Sequence, residues 1–187
     1  MTDSYKEKTI RSGGALISLA EVGEGEGLIM LHGNGEDRSC FDRQLPAFAE
    51  HFRCIAIDSR GHGRSTHGDK RLTLKLMAGD VLAVMDALEL KKAHILGFSD
   101  GGNIALHLAP GSTFAIGMVD RPDAPCLFGT LRLSAGQGVG GIATSGRHGR
   151  SFSLGIADAV TVLARNAAAA DAAATMIANA VDLPGHP

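Results

Sequence analysis

Three short apolar runs constrain the fold of this chain more than any other feature. They lie in LIMLHG (28–33), FRCIAID (52–58) and AHILGF (93–98), and each passes straight into a polar, glycine-bearing turn. An unbroken apolar run too short for a helix is what a strand shows when both its faces are buried. Helical spacings lie between the runs. Phe41, Leu45, Phe48 and Ala49 fit one, with Pro46 inside it. Leu74, Met77, Val81, Val84, Met85 and Leu88 fit another across 74–90, and 103–109 fits a third. The order strand, helix, strand, helix, strand, helix predicts an α/β fold, a parallel sheet with flanking helices. Upstream, Ala15–Val22 alternates apolar and polar residues and predicts an edge strand, followed by a turn at 23–27.

After Pro110 that rhythm stops, and so does the composition that goes with it. Residues 1–109 hold all six Lys and all seven Glu, whereas 110–187 hold neither, with 16 Ala and 11 Gly among 78 residues. So sharp a break predicts two parts, 1–109 and 110–187. The second part reads as short strands at 112–119, 130–134 and 159–164. A turn is expected at 120–125 and a glycine-rich loop with one short strand over 135–151. An Ala-rich helix is expected at 165–181. Strands without intervening helices predict an α+β segment following the α/β part.

The bulk properties exclude several classes of partner. A net charge of −2 implies neither nucleic acid nor an acidic membrane surface. Three cysteines without a C-x-x-C pair imply a reducing compartment and no structural zinc. The first residues lack the apolar core of a signal peptide, and no apolar run approaches the ~20 residues of a membrane helix. The expectation is a soluble, cytoplasmic protein acting on a small molecule, with its oligomeric state open.

Gly97-Phe98-Ser99-Asp100-Gly101 fits G-x-S-x-G between a buried strand and a helix. Such glycines permit a sharp turn that presents the serine hydroxyl at the carboxyl edge of the sheet, where a helix N-terminus favours developing negative charge. LHGNGED ends another buried strand and opens a loop whose amides can face Ser99. The backbone N–H groups of Asn34 and Asp100 are the expected oxyanion donors. LHGNGED, IAIDSRGHGRS and HILGFSDGGNIAL, in this order and spacing, resemble the first half of an α/β-hydrolase of the esterase- and haloperoxidase-like branch, over about 10–108. The resemblance implies Ser99 as nucleophile. It also implies an acid and then a histidine further along the chain. Downstream stand only Asp120, Asp123, Asp158, Asp171 and Asp182, with His148 and His186, none in a context typical of that family. The base for Ser99 is therefore unassigned. Upstream, His32, His51, His62, His67, His94 and His107 read as loop or surface residues, with His32 shaping the oxyanion loop.

GGNIALHLAPGSTFAIGMVDRP, GGIATSGRHGRSFSLGIADAVTVLA and ADAAATMIANAV are similar to the C-terminal part of the ApbE-like family, over about 101–187. That family includes flavin transferases and a second bacterial branch, to which the match is better. In the transferases an Asp and a Thr spaced as Asp171 and Thr175 help to bind Mg²⁺ near the flavin phosphates. The resemblance thus implies Mg²⁺ and FAD, whereas the hydrolase reading needs no cofactor. Residues i and i+4 share one helix face, and carboxylate and hydroxyl oxygens suit a hard cation. Asn103 replaces the Asp usual in that family's Gly-Gly-Asp-Ile element. Gly136-x-Gly138-x-x-Gly141 has the letters of a dinucleotide fingerprint, but no helix opens after it, so that reading is rejected. Ser145, Arg147 and Arg150 in the same loop suit a phosphate contact or a solvated loop equally.

Three functional readings follow. The first is a serine hydrolase of esterase type acting through an acyl-enzyme on Ser99, inactive if it lacks acid and base. The second is a flavin and Mg²⁺-phosphate-binding module, and the third a non-functional chimera. No substrate is legible.

Overall fold

The computed structural model describes residues 5–109, 112–119, 127–134, 137–147, 154–157 and 159–181. The chain divides into two compact units, Met1–Leu108 and Ala109–Pro187.

The first unit is built on a five-stranded sheet. Its strands are β1 (Lys6–Ser12), β2 (Ala15–Val22), β3 (Glu26–Leu31), β4 (Phe52–Ile57) and β5 (His94–Gly97), in the order β1-β2-β4-β3-β5. β3 pairs in parallel with β4 and with β5, while β1-β2 and β2-β4 are antiparallel. The α/β expectation is borne out, with an antiparallel extension on the parallel strands. Ala15–Val22 is not an edge strand, because Lys6–Ser12 folds back along its outer side. Gly13 and Gly14 make this reversal, both at positive φ (46° and 87°). Two successive left-handed residues suit the twist of a tight hairpin, and glycine reaches them without steric cost.

Period-two alternation along β3 and β4 explains why each run is apolar throughout. Ile29, Leu31, Ile55 and Ile57 turn to one face. There they meet Met77, Val81 and Val84 of α2 (Leu74–Ala87) and Ile104 of α3 (Asp100–Leu108). Leu28, Met30, Cys54 and Ala56 turn to the other, against Phe41 and Leu45. Those two come from a 3₁₀ turn at Arg38–Phe41 and from α1 (Leu45–Ala49). Pro46 sits in the first turn of α1, where its missing N–H costs nothing. Thr73 caps α2 by accepting the Leu76 N–H at 3.1 Å.

A buried ion pair ties the loop after β4 to α2. Arg60 Nε donates to Asp80 Oδ2 at 2.8 Å and its Nη2 donates to Asp80 Oδ1 at 2.5 Å. The same Nη2 donates to the Ser12 carbonyl, and the Ser12 hydroxyl donates to Asp80 Oδ1. The hydrogen bonds that Arg60 donates to Asp80 outweigh its burial and hold its guanidinium above the usual range. Among the described residues no helix is long and apolar enough to cross a membrane.

The second unit carries two antiparallel pairs. One joins β6 (Phe114–Val119) and β7 (Leu127–Leu133); the other joins β8 (Gly141–Ser145) and β9 (Val160–Ala164). β7 begins earlier than the expected strand at 130. α4 (Ala167–Ala180) is capped by the Asn166 side chain, which accepts the Ala169 N–H at 2.9 Å. It packs against β8 and β9. Its buried stripe is Ala170, Ala174 and Ala178, at helical i, i+4, i+8 spacing. At Gly141 a Cβ would collide with the backbone of Asn166 and Ala167, so the start of β8 lies directly against the start of α4. The expected turn at 120–125 lies outside the described residues.

Candidate active site

The site is assembled at the carboxyl ends of β3, β4 and β5. β3 and β5 run side by side, with Leu31 opposite Gly97. The Phe98 N–H extends the pairing to the Leu31 carbonyl at 2.9 Å. The chain then turns sharply at Ser99, whose φ is +53°. A left-handed serine is uncommon, and sparsely populated backbone of this kind costs of order 1–3 kcal/mol. Its surroundings hold it there. The Gly102 and Asn103 N–H groups donate to the Ser99 carbonyl at 3.0 and 3.2 Å, and the Gly101 N–H donates to the Phe98 carbonyl at 2.9 Å. Ser99 is solvent-exposed, and Asp100 follows as the first residue of α3.

Both flanking glycines are sterically required. A Cβ at Gly97 would stand 2.5 Å from Gly102 N and nearer still to the Gly101 carbonyl. One at Gly101 would stand 2.5 Å from the Leu31 carbonyl carbon, closer to its oxygen, and 2.9 Å from the His32 oxygen. Helix and strand backbones thus touch across Gly101.

The loop after β3 lies beside the turn. A Cβ built on Gly33 would meet Ser99 Cβ at 3.1 Å and Glu36 Oε2 at 3.0 Å, so Gly33 separates the two side chains. Glu36 Oε2 accepts the Gly33 N–H at 3.1 Å, and the Glu36 N–H donates to the Gly33 carbonyl at 3.3 Å. Asn34 sits exposed at the crest of this turn, one residue from Gly33. Sequence reasoning passed over Glu36; its place three residues after Gly33 in a glycine-rich turn was the available signal.

His32, expected to shape this loop, is buried within it. Its Nε2 accepts the Ser59 N–H at 2.9 Å, which leaves the proton on Nδ1 to be donated to the Gly33 carbonyl at 2.7 Å. Both nitrogens are spent on backbone, so His32 braces the loop. His62 lies beside it, ring centroids 5.3 Å apart and planes tilted by 58°, and its Nε2 stands 3.4 Å from Asn34 Oδ1. His51, His67 and His94 are exposed, as expected. Among the described residues the Ser99 hydroxyl has no hydrogen bond to any histidine.

An open cleft of about 420 Å³ adjoins the loop, lined by Gly35, Glu36, Asp37, Ser39, Cys40, His62 and Gly63. Hydrogen bonds from Ser39 hold the Asp37 carboxyl below its ordinary range, so it stays ionised at neutral pH. Asp58, behind the cleft, is spent on structure: its carboxylate accepts the N–H groups of Arg38 (2.9 Å) and Arg64 (3.0 Å).

In the second unit, Asp171 is exposed and Thr175 half-buried, one turn apart on α4. Two oxygens fall well short of the six or so that Mg²⁺ takes. Among the described residues no group of three or more His, Cys, Asp or Glu is disposed to hold a metal ion. Among the same residues the buried Ser145 hydroxyl finds no hydrogen-bond partner. Asp120, Asp123, Cys126, Gly136, His148, Arg150, Asp158, Asp182 and His186 lie outside the described residues.

The sheet and its serine turn define the front of an α/β-hydrolase fold. A family model described as alpha/beta hydrolase fold matches residues 27–111. A second, described as AbpE bacteria, matches residues 76–187, more than half of the chain, and the chain belongs to that family. The two matches overlap from α2 to just past α3, a wider overlap than motifs alone suggested. Among curated relatives, the chain is 40% identical over 100 residues to the "Dihydrolipoyllysine-residue acetyltransferase component of acetoin cleaving system" of Pseudomonas putida. That alignment covers 52% of this chain and 27% of the relative. It is 36% identical over 81 residues to "3-oxoadipate enol-lactonase 1" of Acinetobacter baylyi, covering 43% and 30%. Among solved structures, "Est816 as an N-Acyl homoserine lactone degrading enzyme" is 35% identical with a TM-score of 0.53, covering 54% of this chain and 39% of that one. The chain spans 27–34% of the length of the first curated relatives it matches.

Proposed function

We propose that the first unit is a serine hydrolase centre of the carboxylic ester type, with Ser99 as nucleophile. The observation that carries this reading is the left-handed backbone of Ser99 at the carboxyl end of β5, between two glycines that admit no side chain. A serine in this sparsely populated backbone, between a strand and a helix and flanked by two such glycines, is what a nucleophile elbow requires. The Ser99 oxygen bonds to the acyl carbon while its proton passes to a base. The alcohol leaves with a proton, and water then releases the acid and restores the serine. The Asn34 and Asp100 backbone N–H groups are the oxyanion donors in this reading. Relatives named as lactonase and lactone-degrading enzyme support an ester or lactone as the substrate class.

The test separates the nucleophile from its base. A fluorophosphonate probe reports whether the Ser99 hydroxyl reacts; turnover of a chromogenic acetate ester reports whether a proton acceptor serves it. Labelling at Ser99 with turnover several orders of magnitude below that of a complete triad is the expected result. Neither labelling nor turnover sensitive to Ser99→Ala would refute the proposal and favour an inactive chimera.

The match of residues 76–187 favours a second reading, a flavin and Mg²⁺-phosphate module in the second unit. Asp171 and Thr175 supply too few oxygens to make that site unaided; the rest would come from water and phosphate. Titrating FAD with and without Mg²⁺ and following flavin fluorescence decides it; an unchanged signal at micromolar protein removes it.

A further inference from the structure

We infer that the outer edge of β5 is a self-pairing surface: a second copy of this chain adds its own β5 there, antiparallel, about a two-fold axis at Ile95. The inference does not depend on whether Ser99 reacts.

The two edges of the sheet are built differently. At one end, β1 carries Lys6, Glu7, Lys8 and Arg11. Glu7 takes the Arg38 and Arg64 guanidinium groups, and Lys8 is paired with Glu21. Charged side chains along an edge discourage a further strand. At the other end stands β5, with the sequence HILG and Phe98 after it. Among the described residues no strand lies along its outer side. β3 and β4 are buried over their last five and four residues, whereas in β5 His94 is exposed and the other three residues are half-buried. Phe98 is 54% exposed. This edge is apolar and unguarded.

Its outward backbone groups follow from the register. The Phe98 N–H points to the Leu31 carbonyl of β3. Direction alternates along a strand, so Leu96 and His94 also point to β3, while Gly97, Ile95 and the preceding Ala93 point away. Among the described residues no backbone hydrogen bond engages Ile95 or Gly97 on that side. A second copy turned by half a revolution presents the same row. With Ile95 opposite Ile95 of the partner subunit, the two residues exchange both N–H···O bonds. Gly97 then exchanges its bonds with Ala93 of the partner subunit, and the symmetry repeats that pair.

The same register matches side chains. Opposed residues share a face, so Lys92 of the partner subunit lies across from Phe98, and His94 of the partner subunit across from Leu96. Lys92 is 87% exposed. Its four-carbon stem can cover the Phe98 ring, with the ammonium at the ring face. On the other face Ile95 meets its counterpart, and small Ala93 meets Gly97. The basic pair Lys91-Lys92 is carried towards the end of β5 where Asp100 opens α3, so opposite charges approach at both ends. The paired segment is shorter than a stable dimer interface requires, which places association in the micromolar range.

Sedimentation equilibrium on the full chain tests this. The mass should rise from 19.3 kDa towards twice that value between about 1 µM and 1 mM protein. Hydrogen exchange at the Ile95 and Gly97 amides should slow in step with that rise. A mass of one chain throughout overturns the inference. Association that leaves those amides unchanged also overturns it, because the contact then lies elsewhere. So do amides already protected in the dilute protein, because another segment of the same chain then covers the edge. Ala93→Pro removes an N–H that faces the partner and none that faces β3. It should weaken association about tenfold or more and leave the urea midpoint of the dilute protein in place. Unaltered association in that variant overturns the inference. Should the variant fail to fold, exchange in the wild type decides alone.

Discussion

Gly101 and Gly102 are adjacent in sequence, yet the structure gives their alanine variants opposite signs. A Cβ on Gly101 would fall 2.5 Å from the Leu31 carbonyl carbon and 2.9 Å from the His32 oxygen. Both obstacles are backbone at the buried end of β3, Leu31 its last residue and His32 the next, and backbone cannot swing aside as a side chain can. Ordinary contact begins near 3.4 Å, so α3 must lift off β3 by about an ångström or more. That movement pulls Ile104 and Ala105, both buried, out of the core. Overpacking usually costs about 1–3 kcal/mol, and this site belongs at or above the upper end because nothing yields locally. Gly102 differs: its nearest neighbour, Gly97 O, stands at 3.6 Å, an ordinary contact. Alanine there gains helix propensity and restricts the unfolded chain, worth about 0.4–1 kcal/mol of added stability. Urea unfolding followed by far-ultraviolet circular dichroism should place Gly101→Ala well below the wild type and Gly102→Ala slightly above it. The fluorophosphonate probe should label Gly101→Ala about a hundredfold more slowly, the penalty for displacing a reacting group by an ångström. A Gly101→Ala variant within about 0.5 kcal/mol of wild type, a margin typical of ordinary surface changes, would refute the account of the elbow as a backbone contact.

Three further outcomes are expected. Arg60→Ala leaves Asp80 buried without its cation and should lower stability by about 3–5 kcal/mol, measured in the same urea titration. Burial of Glu21 opposes its ionisation, but Lys8 and Arg53 prevail and hold its carboxyl below the ordinary value. A depressed carboxyl stabilises above its unfolded pKa and loses that contribution as pH falls through the folded one. Thermal midpoints of wild type and Glu21→Gln should therefore differ at neutral pH and converge in acid. Thr73→Ala removes the cap of α2 and should cost about 1 kcal/mol, with faster amide exchange at Leu76 as the local signature.

The parts of the fold set by side-chain pattern were legible from the letters alone. β3, β4 and β5 announced themselves as apolar runs, and α2 by its 3.6-residue spacing. β1 was not legible, because KEKTIRS offers hardly any apolar residue to alternate with; only the Gly13-Gly14 pair hinted that a strand folds back. α3 was expected from Asn103 but begins at Asp100. Gly101 and Gly102 mask its first turn, since the residue type that permits close approach to β3 is a poor helix former. At the site, Ser99 could be read from its pentapeptide, although its backbone angle could not. His32 was read as shaping the loop after β3, and it does; its burial was not legible, because the two backbone partners that satisfy its nitrogens, Gly33 and Ser59, lie far apart in sequence. The link between His62 and Asn34 spans 28 positions, and no local pattern carries it.

The left-handed backbone at Ser99 also bears on how such a centre can evolve. Cysteine, with a single heavy atom beyond Cβ, tolerates that conformation about as well as serine. Threonine does not: its branched Cβ at φ +53° would be a true outlier. An exchange of oxygen for sulfur is thus open to this position, whereas the change from a primary to a secondary alcohol is closed. The backbone decides which nucleophiles are admissible here before any chemistry is tried.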